Sequence, residues 1–352
     1  MSSVGSVRFQ CPKSKSSELP GHRLAYVRIN LPFNITTSFD RAPHQLDTMR
    51  VLFGLTVALL LLSAGCLENG QDTSQSEPSE HVFSSGFEPT VSIIDVNENF
   101  ADIIGSDGLD WESDLEDNGS FGNFRIFYEG GDESQRSANI IEYDGGHVLE
   151  FRLSEANVND GEKGRVSVSL TNNVNLTNFA YSVDVNLTDA FELISPADSR
   201  LTWMTIAEFW NDKAQTEHAF RITLAIHKED TAPNTPLSWA LHGQTQNTTS
   251  LLWDDVWTEI SDVPVPIHTW FTLQIAVIEG DAEQGQVFVK MGANVLFDVH
   301  NWTHHPEDTT PGGFDNLNMM KLYTSGDVLS QLPEERAFVI LWDNFFLSTN
   351  EG

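Results

Sequence analysis

Beyond residue 87, short runs of β-branched and aromatic residues alternate with turn clusters, and in places hydrophobic and polar residues alternate cleanly with a period of two. In "RVSVSL", Val166, Val168 and Leu170 share one face, and Arg165, Ser167 and Ser169 share the other. "GQVFVKMG" shows the same period. Runs of this kind predict strands over 90–96, 124–128, 138–143, 147–153, 164–170, 179–187, 199–210, 220–228, 236–244, 250–253, 270–278, 286–291, 294–298, 319–324 and 336–347. Gly, Asn, Asp and Pro clusters separate them, and no long segment here carries a helical stripe. About fifteen short strands with such turns predict an all-β domain, a sandwich of two antiparallel sheets over residues 87–350. Residues 67–85, "LENGQDTSQSEPSEHVFSS", are too polar to bury a core, so 66–86 reads as a flexible acidic tether.

One stretch breaks the pattern. "MRVLFGLTVALLLLSAGCLENG" is apolar from Val51 to Leu62, shorter than the ~20 residues a spanning helix needs but suited to the core of a signal peptide. Arg50 precedes it, and the small residues Ser63, Ala64 and Gly65 lead to Cys66. This order resembles the lipobox of prokaryotic lipoproteins, although Ser63 stands where a Leu is usual. The resemblance implies a signal helix over 49–65, cleavage before Cys66, and a lipid on Cys66. The protein would then be exported and held at the outer face of the cell membrane by that lipid alone. Residues 1–48 have no place in such a signal and read as an upstream extension, disordered, with translation starting at Met49.

Charge supports this division. Residues 1–50 carry a net +4 and the remainder −36. A surface that acidic repels nucleic acid, which excludes DNA or RNA as a partner. The two cysteines are Cys11 and Cys66, so the folded domain has no disulfide and a monomer held by its own core is expected. Five Asn-x-Ser/Thr sites beyond Cys66, at Asn118, Asn175, Asn186, Asn247 and Asn301, suit an exported chain.

The second half carries a more specific order. "VPVPIHTWFTLQIAVIEGDAEQGQVFVKMGANVLFDV" reads strand, turn, strand, turn, strand, followed by "NMMKLYTSG" and "VILWDNFFLS". This resembles the concanavalin A-like jelly roll of polysaccharide lyases of the heparin lyase and alginate lyase kind. Active members present Arg-x-Glu, Gln-x-His and Lys-x-Gly-x-Tyr strands on one concave sheet. Here Arg165 fits the first, with Ser167 in place of the acid. Glu208 and Trp210 in "IAEFWN" stand for the second. Lys321 and Tyr323 fit the third with shortened spacing. His242 and Gln244 in "LHGQTQ" could supply the missing histidine and amide from a neighbouring strand.

The resemblance implies β-elimination from a uronate, with a base at C5, an acid at the leaving oxygen and a group neutralising the carboxylate. Tyr323, Arg165, His242, Lys321 and Glu208 are the catalytic candidates. A second reading needs no catalysis. Sugar rings pack on aromatic planes, and Trp210, Trp239, Gln244, Asn211 and His304 could bind a polysaccharide or glycoconjugate without cutting it. A third is a structural surface protein. The net charge and the displaced histidine put glycan binding ahead of lyase chemistry. "NWTHHPEDTTPGG" holds His304, His305, Glu307 and Asp308, a set able to ligate metal; its prolines make it a loop that borders the binding face. The jelly roll also implies one structural Ca2+, for which Asp343, Asp107 and Asp110 are the candidates.

Overall fold

The computed structural model describes residues 80–350, except 113–114, 116–119, 132–133, 156–162, 199–200 and 212–216. The upstream segment, the signal run and Cys66 lie outside the described residues. The strands in chain order are β1 Glu80–Ser85, β2 Val91–Asn97, β3 Phe100–Gly105, β4 Asn123–Glu129, β5 Arg136–Tyr143, β6 Gly146–Leu153, β7 Lys163–Thr171, β8 Asn178–Asp189 and β9 Leu201–Asn211. They continue as β10 Phe220–Lys228, β11 Ser238–Gln246, β12 Trp253–Pro264, β13 Phe271–Ile278, β14 Gln286–Met291, β15 Asn294–His300, β16 Asn316–Ser325 and β17 Phe338–Asn350.

Two antiparallel sheets form the sandwich. One runs β15-β14-β13-β8-β17-β6-β5, with β1 added to β17. The other runs β12-β11-β10-β9-β16-β7-β4-β3-β2. Alternation decides which side of each strand is dry. Val166, Val168 and Leu170 of β7 are fully buried in the core, as are Val183, Val185 and Leu187 of β8. Aromatic pairs join the sheets: Phe179 meets Phe209 with ring centroids 4.9 Å apart, Phe83 meets Phe124 at 5.0 Å and Trp239 meets Phe271 at 5.9 Å. The Tyr181 hydroxyl donates to the Met319 carbonyl at 3.1 Å, so this buried polar tip has a partner.

The domain begins earlier than the tether reading allows. Glu80–Ser85 pairs with the end of β17, and Phe83 and Phe87 are fully buried. The sequon at Asn186 is also corrected: its side chain is buried on β8 beside β17, where no glycan could be attached.

One irregularity sets up everything that follows. In β16 the register against β7 slips by one residue between Asn318, opposite Ser169, and Met320, opposite Val168. Met319 and Met320 therefore both enter the core and are completely buried. The slip leaves Asn318 and Lys321, three residues apart, on the same outward face, with Tyr323 next along.

Candidate functional site: the outer face of the larger sheet

The four strands that carry the candidate residues, β7, β16, β9 and β11, lie in the nine-stranded sheet, with β10 between β9 and β11. On the face turned away from the core, β7 presents Arg165 and β16 presents Lys321 and Tyr323, with Tyr323 directly opposite Arg165. β9 presents Glu208 and Trp210, which pair in register with Thr223 and Arg221 of β10. β11 presents His242 and Gln244, which lie opposite Thr258 and Asp255 of β12.

A continuous polar chain crosses five of these strands. Lys321 Nζ donates to Glu208 Oε2. Arg221 donates to Glu208 Oε1 at 3.2 Å and, through Nε, to Gln244 Oε1 at 2.7 Å. Gln244 Nε2 donates to Asp255 Oδ1 at 2.7 Å, and His242 Nδ1 lies 3.0 Å from Thr258 Oγ1 and 3.6 Å from Asp255. Aromatic rings border the chain. The Arg221 guanidinium stacks 4.2 Å from the centroid of Trp253, and Trp253 meets Trp210 at 6.0 Å. Trp203 lies 4.9 Å from Tyr323.

Burial sorts these groups. Glu208 and Lys321 are 4% and 1% exposed, so they underlie the face and cannot meet a polymer directly. Burial alone raises the Glu208 pKa, but Lys321 and Arg221 together outweigh it and hold the carboxyl below its usual value. Burial, with repulsion from Arg165 and Arg221, lowers Lys321 to about 8 against the attraction of Glu208. Tyr323 is half-buried, and its phenol is pushed well up, first by burial and then by Glu129 and Glu208. It is therefore a hydrogen-bond donor at neutral pH rather than a base. Burial also lowers His242, against the pull of Asp255, so its imidazole is neutral near pH 7.

Several expected contacts do not form. His242 and Tyr323 share the face, but β9 and β10 stand between their strands, a separation of roughly 14 Å at the ordinary strand spacing. They cannot act on one glycosidic bond. Trp239 is fully buried against Phe271 in the core, because it lies an odd number of residues from His242. Asn211 is fully buried, and its Oδ1 accepts the Phe220 N–H at 2.9 Å, closing the β9–β10 hairpin. His304 is buried, packs edge-on against Trp302 at 5.3 Å and hydrogen-bonds the His305 carbonyl. These three are structural.

The calcium candidates lie on two elements: Asp107 and Asp110 in the turn after β3, and Asp343 in β17. Ca2+ takes roughly six to eight oxygens. Asp107 Oδ2 accepts from Ser85 Oγ at 2.9 Å and from the Gly86 N–H at 2.6 Å. Asp110 accepts the Glu112 N–H at 2.9 Å, and Asp343 lies opposite Asp184 on the other sheet. Among the described residues, no grouping of three metal-ligating side chains contains any of these carboxylates. Asp107 Oδ1 is nevertheless buried without a hydrogen-bond partner.

No protein-family model matches the chain, and no characterised protein matches it in sequence. Solved structures do match in architecture. The endo-β-1,4-glucuronan lyase of the fungus Trichoderma reesei is 11% identical, covering 64% of this chain and 95% of its own, with a TM-score of 0.42. An alginate lyase from a Chlorella virus is 12% identical over 68% of this chain and 98% of its own, with a TM-score of 0.38. The marine alginate lyase of Aplysia kurodai is 9% identical over 64% and 90%, with a TM-score of 0.40. At these identities the likeness is one of fold, and the chemistry has to be argued from this chain's own side chains.

Arg221, Trp253, Asp255 and Glu129 are the members of the face that motif reading misses. Arg221 and Thr223 alternate with the buried Ile222 and Leu224, so the two-residue period alone is enough to find Arg221.

Proposed function

We propose that this domain binds polysaccharide through the outer face of its nine-stranded sheet, and that its ligand is a neutral or weakly charged glycan. The observation that carries this reading is the Arg221–Trp253–Trp210 group beside Gln244 and His242. Half-buried indole rings offer flat apolar planes to sugar C–H faces, and the amide and imidazole offer polar partners to hydroxyls. The charge balance of the face argues against a polyanion. Arg165 lies 3.7 Å from Glu129, while Lys321 and Arg221 both engage Glu208. The three cations nearest the candidate groups thus each have a carboxylate partner. In this reading the domain works outside the cell, tethered through lipid on Cys66, as the apolar run before that cysteine suggests.

Electrophoresis through gels containing neutral or uronic polysaccharides tests the reading. Retardation by a neutral glycan, weakened by Trp253→Ala and Trp210→Ala, is expected. Retardation by polyuronates alone, insensitive to both variants, would overturn it.

A second reading, β-elimination, is favoured by one contact: Arg165 lies over Tyr323, with Lys321 Nζ 4.6 Å from the same ring. A phenol held protonated could serve as the acid at a leaving oxygen. The base would still have to come from elsewhere on the face.

A further inference from the structure

The loop at 301–313 contains a group that the glycan reading does not use. Trp257 of β12 fixes its start, donating from Nε1 to the Trp302 carbonyl at 2.7 Å. Trp257 can reach there because it lies flat on Gly243 of the neighbouring strand, where a Cβ would come within 2.2 Å of the indole. Thr303 ties the same loop to the end of β13, accepting the Gly280 N–H at 2.7 Å and donating to the Ile278 carbonyl at 2.8 Å. The loop then turns back towards the start of β10. There His218 and His305 stack with ring centroids 4.4 Å apart. Glu307 Oε2 lies 3.4 Å from His218 Nε2, and Asp308 Oδ1 lies 3.0 Å from His218 Nδ1.

We propose that His218, His305 and Glu307 bind a divalent transition-metal ion of the zinc class. One ligand atom from each of the three lies within 4.8 Å of the others. A tetrahedral zinc site with bonds near 2.05 Å needs about 3.3 Å between ligand atoms, so closure asks for a shift of at most about 1.5 Å. Glu307 has a 74% exposed side chain and is free to give that shift. Two imidazoles and a carboxylate are borderline ligands suited to zinc rather than to calcium or magnesium. They leave a fourth position for water.

Asp308 is the independent sign of a built site. Its side chain is 5% exposed, Oδ1 faces His218 Nδ1, and Oδ2 is buried with no hydrogen-bond partner. A carboxylate on Nδ1 fixes the proton there and turns the Nε2 lone pair towards Glu307 and His305, as outer carboxylates do at histidine-ligated zinc. Asp308 also lies close enough to the buried Glu279 to raise that carboxyl's pKa, so an ion here would relieve a local surplus of negative charge. The Glu307 N–H donates to His305 Nδ1 at 3.1 Å, and metal loading at that ring exchanges this bond for the ion. A bound ion would pin the loop to the head of β10, next to Arg221.

Zinc titration of the full-length metal-free protein by calorimetry, with a thermal melt at each ratio, tests the proposal. One equivalent should bind near neutral pH and raise the Tm by several degrees, because the ion binds only the folded form. Calcium and magnesium should do neither. His218→Asn with His305→Asn should abolish both effects. Glu307→Gln alters an exposed side chain and keeps the fold, and should weaken binding at least tenfold. Cobalt in place of zinc should give the intense visible absorption of a four- or five-coordinate nitrogen–oxygen site. Absence of zinc binding, or binding that survives in the double variant, would overturn the proposal; the second result would mean that the acidic surface holds the ion.

Discussion

Tyr323 and Arg165 face each other across the β16–β7 pair, with the guanidinium carbon 5.9 Å from the phenol centroid. Arg165 also lies 3.7 Å from Glu129 and 5.9 Å from the Phe127 ring. The tyrosine is thus held between a cation and an indole, Trp203, and keeps its proton. Tyr323→Phe removes the donor and leaves the ring. In a binding domain, glycan affinity should fall by no more than about tenfold, the worth of one hydrogen bond. No absorbance from a new C4–C5 double bond should appear with any polyuronate, for either form. Turnover in the wild type that Tyr323→Phe abolishes, with binding intact, would establish the lyase reading instead.

Glu208 holds two cations in a dry place. Glu208→Gln leaves Lys321 buried without its counter-charge and should cost about 3–5 kcal/mol in urea denaturation. Lys321→Met in the same chain should recover part of that loss, because the uncompensated charge goes with it. Equal and additive losses in the two single variants would show that the pair is not coupled.

Two groups set a stability minimum near neutral pH. Burial raises Glu279 to about 7, so the folded state holds a proton that the unfolded chain releases near 4.5. Stability from this group is present below pH 4.5 and is lost as pH rises through 7. Lys321, lowered to about 8 from 10.5, acts in the opposite direction. Between those values the unfolded state binds the extra proton, so stability rises with pH. Melting curves from pH 4.5 to 10 should therefore dip between 7 and 8. Glu279→Gln should remove the descending limb, a gain of about 3 kcal/mol above pH 7, since an amide keeps the Gly313 N–H contact without a charge. A Glu279→Gln profile that follows the wild type would rule this out.

The anchor is tested in a prokaryotic host that lipidates exported proteins. Wild-type protein should partition into detergent, and Cys66→Ser should release it or stall its processing. Membrane association unaffected by the serine would end the lipoprotein reading.

Much of the fold is legible in the sequence, because its period of two is strong. Alternation predicts Phe220–Lys228 and Gln286–Met291 to the residue. It fails at β12, whose acidic edge strand buries little besides Trp257 and Ser261 and so shows no alternation. It fails at β1, a mostly polar strand held by pairing with β17 and by the single buried ring of Phe83. Within the site, parity brings Arg165, Lys321 and Tyr323 together. The convergence of His218 on His305 and Glu307 is out of reach of any local pattern, because the loop contact joins residues far apart in the chain. Buried Asn211 and Trp239 look like ligand-binding types only until their depth is known.

The slip at Met319–Met320 makes one of the two methionines dispensable to the face. Deleting either would leave Asn318, one methionine, Lys321, Leu322 and Tyr323 in plain alternation, with Lys321 and Tyr323 still turned outward and Leu322 still in the core. Flattening the strand with both methionines kept is what would destroy the face, because it would turn Lys321 and Tyr323 inward and Leu322 out to solvent. Homologous chains that keep this surface should therefore carry either one or two residues between Asn318 and Lys321, and every residue there should be apolar.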